Sequence, residues 1–260
     1  MRLTFLGTGT SQGVPVVACH CGVCRSLDVK DKRLRTSAMV QIESPDYSDT
    51  NILIDIGPDF RQQMLCHEVD HLDAILITHA HRDHVGGLDD IRSFNYVQRK
   101  KMDIYLNKEA AVAIRRDYHY IFEPHQFPGL PEANLHVVDN QVFFVSGSQV
   151  EVEPIHALHK DLPVLGFRIG QLAYITDANF ITSEELDKLG GIDVLVINAL
   201  RKERHFSHFC LQEALDVIGR VKPLRAFLTH VSHEMGLHEE VQRLLPEGVF
   251  LAYDNLEVEI

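Results

Sequence analysis

Short apolar runs, separated by polar or glycine-containing stretches, recur along the chain. Runs of about four to eight residues that are rich in Val, Ile and Leu are typical of β-strands. Between two of these runs, Gly170 and Gln171 suit a two-residue hairpin turn with glycine first. The pattern predicts strands at Leu3–Leu6, Ala38–Ile42, Ile52–Ile54, Ala74–Thr78, Asp103–Leu106, Val150–Val152, Gly166–Ile169, Leu172–Thr176, Val194–Asn198, Ala226–Thr229 and Val249–Ala252.

Other segments carry the periodicity or the end signals of helices. Leu211–Val221 places its apolar residues on one face, and Thr182–Glu185 has the sequence of a capping box. Because helices are interspersed with strands in both halves, we expect an α/β protein whose sheets carry helices on their outer faces. The proline-rich residues 124–131 are expected to form an irregular loop on the substrate side. The predicted helices are Lys108–Tyr120, Thr182–Leu189, Leu211–Val221 and His238–Leu245.

Length and charge narrow the range of functions. A chain of 260 residues fits a single domain, residues 1–260, of a size common among α/β enzymes. The net charge of −12 repels phosphate at long range, so nucleic acid and anionic membranes are not expected as partners. No apolar run approaches the ~18 residues of a membrane span. The clustered cysteines, and an N-terminal sequence unlike a signal peptide, favour a reducing cytoplasm. A homodimer is a possible assembly.

The strongest chemical signal is the segment HAHRDH, which follows an apolar strand. Its alternate residues His79 and His81 can point to the same side of an extended chain. Asp83 and His84 can then turn towards a second point about 3.5–4 Å away, which is the spacing of two-metal sites. Imidazole and carboxylate groups together suit zinc, manganese or iron. The segment therefore predicts a metal centre.

This H-x-H-x-D-H pattern resembles the metallo-β-lactamase superfamily. Residues 6–11 (LGTGTS) resemble the opening strand and turn of its phosphodiesterase branch, and residues 53–57 (LIDIG) resemble its second-strand signature. The resemblance implies an αββα sandwich of two mixed sheets with helices on the outer faces, and one or two metals at the loop edge. The family aspartate that matches Asp55 supports the metal loop and does not itself bind metal.

The same resemblance implies the remaining ligands. A third histidine precedes a strand that begins Gly-Phe, and both His156 and His159 are candidates, with His159 nearer the family distance. A bridging aspartate matches Asp177, and a last histidine after an apolar strand matches His230. The two metals, zinc or manganese, would share a hydroxide and the Asp177 carboxylate. The implied ligands are His79, His81 and His159 for one metal and Asp83, His84 and His230 for the other.

A second candidate metal site is the C-x-C-x-x-C spacing of Cys19, Cys21 and Cys24, in a predicted loop. Clustered cysteines in a reducing compartment bind metal more often than they form disulfides. A closed tetrahedral zinc needs a fourth ligand. The residues open for that role are Cys66, Cys210, His20 and any later histidine.

The cysteine motif follows residues 7–15 (GTGTSQGVP) and so resembles the phosphoribosyl cyclic phosphodiesterase (PhnP-like) branch of the superfamily. The same loop motif occurs in a pyrroloquinoline quinone biosynthesis relative, so it does not fix the substrate. In the PhnP-like branch a structural zinc takes three cysteines and a histidine three residues after the last active-site histidine. That position is His233 in this chain.

Hydrolysis of a phosphodiester also needs a proton for the leaving oxygen. His208, before a predicted helix, resembles the histidine found there in this branch, and His205 is its rival. Asp83 could assist as an acid or base. The cations that could neutralise phosphate oxygens, or simply form a solvated charged run, are Arg201, Lys202 and Arg204.

We therefore expect a metal-dependent hydrolase, a phosphodiesterase that cleaves a small cyclic or related phosphodiester by a metal-bridged hydroxide. One alternative is a nuclease that matures transfer RNA ends, which the net charge of −12 does not favour. Others are a thioester or lactam hydrolase and a one-iron enzyme that oxidises a persulfide. A non-catalytic binding protein is the last alternative, and the full ligand set argues against it.

Overall fold

Two β-sheets pack face to face in the computed structural model, which describes residues 1–43, 49–123 and 129–260. A single apolar cluster joins them, with Phe5 and Ile52 from the first sheet against Phe167 and Val196 from the second. The strands are β1 Arg2–Gly7, β2 Ser37–Ile42, β3 Thr50–Ile54, β4 Ala74–Leu76, β5 Met102–Leu106, β6 Ala133–Val137, β7 Phe143–Phe144, β8 Glu151–His159, β9 Leu162–Ile169, β10 Leu172–Ile175, β11 Phe180–Ile181, β12 Val194–Asn198, β13 Arg225–Thr229, β14 Val249–Leu251 and β15 Glu257–Glu259.

The strand order brings the loops that follow the central strands to one edge of the sandwich. The first sheet has the order β15-β1-β2-β3-β4-β5-β6, and the second has the order β11-β8-β9-β10-β12-β13-β14, with β7 paired to β8. Strands β3 to β6 are parallel neighbours, and so are β10, β12, β13 and β14. Parallel strands end at the same side of their sheet, so polar residues placed after them meet there.

Helices cover the outer face of each sheet. Phe60, Phe94 and Ala110 pack in one outer apolar cluster, and Ala214 and Val241 pack in the other. This layering confirms the predicted αββα sandwich. None of the described helices is long and apolar enough to cross a membrane. The helices are α1 Phe60–Cys66, α2 Arg82–Val85, α3 Arg92–Gln98, α4 Lys108–Asp117, α5 Ser183–Asp187, α6 Leu211–Val221 and α7 His238–Gln242.

Each predicted strand overlaps an observed one, but the apolar pattern does not predict β6, β7, β11 and β15. These strands include edge strands, and each of them buries at most one residue, so they lack a continuous buried apolar run. Strand β8 also extends well beyond the predicted Val150–Val152. The hairpin turn after β9 is confirmed, and its Gly170 has a φ of +55°. In the predicted loop 124–131, residues 124–128 lie outside the described residues.

Candidate metal centre and active site

Strand ends gather histidine and carboxylate side chains at one edge of the sandwich. Asp55 follows β3, His79 comes shortly after β4, Asp177 follows β10 by two residues, and His230 follows β13. Asp55, Asp177 and His230 have φ angles of 61°, 57° and 56°, in the left-handed region that non-glycine residues rarely adopt. Such backbone strain collects at functional sites, where the surrounding structure enforces it. This edge is therefore the candidate active site.

Several histidine and aspartate side chains meet at this edge, and we call seven of them the strand-end cluster. In each of several trios, one ligand atom per residue lies within 4.8 Å of the others. Two of these trios match the two predicted metal positions, and Asp177 lies with His79 and His84 in a third trio that links them. The strand-end cluster consists of His79, His81, Asp83, His84, His159, Asp177 and His230.

Two carboxylates face two imidazoles at the centre of the strand-end cluster. Nε2 of His84 lies 3.2 Å from Oδ2 of Asp83 and 3.2 Å from Oδ2 of Asp177. Nε2 of His230 lies 3.6 Å from Oδ2 of Asp83 and 3.3 Å from Oδ1 of Asp177. All four side chains are at least 87% buried, with exposed fractions of 0%, 1%, 3% and 13%. Acidic and imidazole ligands thus converge away from water.

The donor set fits divalent metals. The Nε2 atoms of His79, His84 and His230 are buried and have no hydrogen-bond partner among the described residues. A buried polar atom without a partner is costly, and a bound cation would satisfy these three lone pairs. Buried carboxylates also require nearby positive charge. The mixture of nitrogen and oxygen ligands suits zinc or manganese.

Asp55 holds His84 of the strand-end cluster in place through a hydrogen bond. Its Oδ2 accepts a hydrogen bond from Nδ1 of His84 at 2.6 Å, and its Oδ1 accepts one from the backbone N–H of Thr78 at 2.8 Å. The Thr78 hydroxyl donates to the same carboxylate at 2.8 Å. A carboxylate on the far nitrogen fixes the imidazole tautomer and leaves Nε2 free to bind metal. Asp55 therefore orients a ligand, as the family resemblance implies.

Burial and charge set the protonation of the strand-end cluster. Burial, with His84 nearby, holds the pKa of His79 well below its usual value, so His79 is neutral and keeps a lone pair for metal. Burial alone would raise the pKa of Asp177, but His230 and His84 hold that pKa well below its usual value. Burial opposes protonation of His84, yet Asp177, Asp55 and Asp83 raise its pKa well above normal. The carboxylates therefore strongly favour positive charge at the centre of the strand-end cluster.

Only one of the two candidates for the third histidine reaches the strand-end cluster. His159 lies with His79 and His81, whereas His156 joins none of the ligand groups found in the described residues. Nδ1 of His159 donates to the backbone oxygen of Ser207 at 2.7 Å, which leaves Nε2 as the free lone pair. His156 and His159 are three residues apart on β8, and residues at odd spacing point to opposite faces of a strand.

His208 lies against the strand-end cluster, and His205 lies farther out. Nδ1 of His208 is 3.6 Å from Oδ1 of Asp177, and its ring centroid is 4.9 Å from that of His230. The ring centroid of His205 is 5.2 Å from that of His208, and Nδ1 of His205 contacts Ser207. Burial lowers the pKa of His208 to about 3. Of the two candidate acids, His208 is the one in contact with the metal ligands.

The predicted cations near His208 are not equivalent. Arg201 pairs with Glu234 at 2.7 Å, and Arg204 pairs with Glu213 at 3.4 Å while its side chain stays 87% exposed. Lys202 is exposed at the surface. Two of the three cations are thus engaged with carboxylates of the chain.

A second cluster brings three cysteine thiols together with His233, which lies three residues after His230 in the chain. Nδ1 of His233 lies 3.4 Å from Sγ of Cys19, 3.3 Å from Sγ of Cys21 and 3.6 Å from Sγ of Cys24. A tetrahedral zinc with Zn–S near 2.3 Å and Zn–N near 2.0–2.1 Å would separate nitrogen and sulfur by about 3.5 Å. We call these four residues the thiolate cluster, and their spacing fits a closed zinc site.

The other residues open as a fourth ligand lie elsewhere. Sγ of Cys66 is exposed and lies 3.8 Å from Oδ1 of Asn255, and Cys210 is buried at the start of α6. His20 joins no ligand group in the described part of the chain. In the thiolate cluster, the backbone N–H of Cys24 donates to Sγ of Cys21 at 3.4 Å and, with His233, lowers the pKa of Cys21 to about 6. Cys21 is therefore largely thiolate at neutral pH.

Sequence reasoning missed the polar groups that hold the ligands in place. Thr78 bridges Asp55 and the His79 imidazole, whose Nδ1 lies 3.1 Å from the Thr78 hydroxyl. The Arg201–Glu234 pair was not anticipated either. Thr78 could have been flagged because it directly precedes the first ligand, but an ion pair between residues 33 positions apart leaves no local signal.

Comparisons with known proteins agree with this geometry. Residues 50–231 match the family described as Beta-lactamase superfamily domain. Over 258 residues the chain is 42% identical to the octanoyltransferase of Porphyromonas gingivalis, a match that covers 99% of this chain and 51% of that protein. The chain thus spans about half the length of this curated relative.

Two solved structures resemble the whole chain. A crystal structure of a diphosphatase from the PhnP family superposes with a TM-score of 0.90 at 34% identity, over 100% of this chain and 97% of that one. Zinc-bound PqqB from Methylobacterium extorquens superposes with a TM-score of 0.79 at 18% identity, over 100% of both chains, which shows a shared fold alone. The chain therefore belongs to the metallo-β-lactamase superfamily and, within it, resembles the PhnP family.

Proposed function

We propose that this hydrolase is a phosphodiesterase that cleaves a small cyclic or related phosphodiester. The observation that carries the proposal is the contact between the strand-end cluster and His208, which puts a proton donor beside a site suited to two metals. The 34% identity to a PhnP-family diphosphatase supports a phosphoryl substrate, since hydrolysis of a diphosphate and of a phosphodiester both break a P–O bond.

The strand-end cluster would hold the catalytic metals. His79, His81 and His159 would hold one, and Asp83, His84 and His230 the other, with Asp177 between them. Zinc or manganese bound there would supply Lewis-acid activation of water and would neutralise phosphoryl charge. The thiolate cluster would hold one structural zinc, giving three metals per chain.

His208 would complete the reaction by proton transfer. As water adds its oxygen to phosphorus and loses a proton to solvent, the P–O bond to the leaving group breaks with its electron pair, and the leaving oxygen takes a proton from His208. Burial lowers the pKa of free His208 to about 3, and an anionic phosphoryl group alongside would raise that pKa towards neutrality. His208 then regains its proton from solvent. Asp83, 13% exposed at the side chain, could assist from the metal side.

The net charge argues for a small substrate. With a net charge of −12, long-range attraction for a polynucleotide is absent, so phosphate must be captured locally. This favours a small phosphodiester over a transfer RNA end.

The cysteines favour a cytoplasmic setting. Cysteines that lie together as a metal-ligand group, without a disulfide among the described residues, suit a reducing compartment.

A second candidate is hydrolysis of an acyl thioester. The observation that favours it is the 42% identity to one half of a chain named octanoyltransferase. That name describes a protein about twice as long, so it does not assign octanoyl chemistry to the shared half. An activated water at the strand-end cluster could attack a carbonyl carbon as well as phosphorus.

One assay separates the two candidates. Chelated protein is reloaded with Mn²⁺ or Zn²⁺ and offered a cyclic phosphodiester, a linear aryl phosphodiester, a diphosphate and an octanoyl thioester. We expect metal-dependent hydrolysis of the cyclic phosphodiester, abolished in His81→Ala and retained in the matched control His119→Ala, whose histidine is exposed and outside both clusters. Turnover of the thioester alone would replace the proposal with the second candidate.

A further inference from the structure

The loop that carries His208 has little secondary structure of its own. Between the end of β12 at Asn198 and the start of α6 at Leu211, it is held mainly by isolated backbone bonds. The N–H of Leu200 donates to Phe209 at 3.0 Å, and the N–H of Leu211 donates to Arg201 at 2.8 Å. These bonds close the base of the loop, and the N–H of Phe209, next to His208, donates to the backbone oxygen of Ala178 at 2.8 Å. Side-chain contacts hold the rest of the loop. We call residues 201–208 the acid loop.

Arg201 supplies the most extensive of those contacts. Its Nη2 donates to the backbone oxygen of Arg204 at 3.1 Å, and its Nε donates to that of Glu203 at 3.4 Å. Its Nη1 donates to Oε2 of Glu234 at 2.7 Å. One guanidinium thus fixes the turn of the acid loop and also ties that loop to another segment. Because three of its donors are engaged within the chain, Arg201 is a poor candidate for a phosphate ligand.

The anchor of Arg201 belongs to the segment that serves both clusters. Glu234 directly follows His233 of the thiolate cluster. Two bonds brace the same segment: the Ser232 hydroxyl accepts from the N–H of Glu234 at 3.2 Å, and the N–H of Ser232 donates to Leu200 at 2.9 Å. A zinc in the thiolate cluster would fix this segment from its other side.

We propose that Arg201 is a positioning residue that holds His208 against the leaving group by clamping the acid loop to Glu234. The inference rests on the proposed function, in which His208 is the acid. The side chains of Arg201 and Glu234 are 27% and 50% exposed, so their pair adds little to global stability. A displacement of a catalytic group by about 1 Å can nevertheless cost on the order of 100-fold in rate.

The test compares two leaving groups. In Arg201→Ala, kcat for an alkyl phosphodiester should fall about 10–100-fold, because an alkoxide must be protonated as it leaves. With a p-nitrophenyl ester, which leaves without a proton, kcat should change by less than about 2-fold. Glu234→Gln should show the same bias more weakly. Arg243→Ala, in which an exposed arginine paired with Glu239 at 2.8 Å is lost, is the matched control and should leave both rates unchanged.

A second readout does not depend on catalysis. Hydrogen exchange at the amides of Leu200 and Leu211, whose bonds close the base of the loop, should speed up in Arg201→Ala and Glu234→Gln but not in Arg243→Ala. Unchanged exchange, equal losses with both esters, or a raised KM at constant kcat would each overturn the positioning role. A wild-type protein that cleaves no phosphodiester would sink the proposed function instead, and exchange would still decide whether the clamp exists. If Arg201→Ala does not fold, Arg201→Lys and Glu234→Gln provide the same comparison.

Discussion

The two ligand clusters of this chain are built in different ways. The strand-end cluster sits on residues that follow β4, β10 and β13, and its central side chains are almost fully buried. The thiolate cluster takes three ligands from residues 19–24, a loop in which only turns and bends are present. The sheets therefore preform the first cluster, whereas a metal would organise the second. Loss of metal from the strand-end cluster should therefore abolish activity, whereas loss of metal from the thiolate cluster should disorder the loop that carries it.

The largest expected effect is loss of a ligand from the strand-end cluster. His81→Ala should reduce phosphodiesterase activity by more than the ~10–100-fold typical of supporting groups, because it removes a metal ligand directly. The melting temperature should hardly change, since His81 is exposed and the sheets are intact. Elemental analysis with circular dichroism checks both points. Full activity in this variant would remove His81 from the site.

The next largest effect is expected for Asp55, which hydrogen-bonds to the metal ligand His84. Asp55→Asn should weaken metal binding and activity by about 10–100-fold, because Nδ1 of His84 loses the carboxylate that orients it. Titration of chelated protein with Zn²⁺ measures the affinity. The control is Asp59→Asn, which removes a carboxylate paired with Arg35 after the same strand. Equal metal affinity in Asp55→Asn and wild type would contradict the supporting role of Asp55.

Disruption of the thiolate cluster should lower thermal stability more than it affects the metals of the strand-end cluster. Cys21→Ser should lower the melting temperature by several degrees, at about 2–4 °C per kcal/mol for a domain of this size, and should remove one zinc. The metals of the strand-end cluster should remain. Calorimetry and metal analysis of the same sample test this. If the variant keeps its melting point and one tightly held zinc, the cysteines of this loop do not bind the metal and only pack against their neighbours.

The smallest effect concerns pH. The pKa of Cys21 is lowered to about 6, so its thiolate is present above that pH and is lost as the pH falls through it. Protons then compete with zinc, so the affinity of the thiolate cluster for zinc should fall as the pH decreases through about 6. Competition with a chelator at neutral and at acidic pH measures the affinity. A zinc affinity that does not change across this range would contradict Cys21 as a ligand.

The sequence predicts the parts of this molecule whose signals are local. The apolar run of β4 followed by HAHRDH indicates both a strand and a metal centre because the ligands are neighbours in sequence. Strand β15 escapes prediction because Glu257 and Glu259 face solvent around one buried Val258, and its pairing with β1 joins the two ends of the chain. Long-range pairs leave no such local trace.

The choice between His156 and His159 shows the same limit. The distance to Gly166 favours His159 through the family resemblance, but the opposite directions of the two side chains follow from the one long strand that they share. Pro154 and two histidines interrupt the apolar pattern of β8, so the pattern ends the predicted strand at Val152. The Arg201–Glu234 clamp likewise depends on how the acid loop folds back, which no short motif encodes.

The most direct test of the account is a metal titration in which binding and rate are measured on one sample. Chelated protein that keeps the zinc of its thiolate cluster is given increasing Mn²⁺ or Zn²⁺, and hydrolysis of a cyclic phosphodiester is followed at each step. We expect the rate to rise with added metal and to reach a plateau at two equivalents per chain, with His81→Ala staying inactive throughout. Full activity before any metal is added, or an equal plateau in His81→Ala, would contradict the strand-end cluster as the catalytic metal centre.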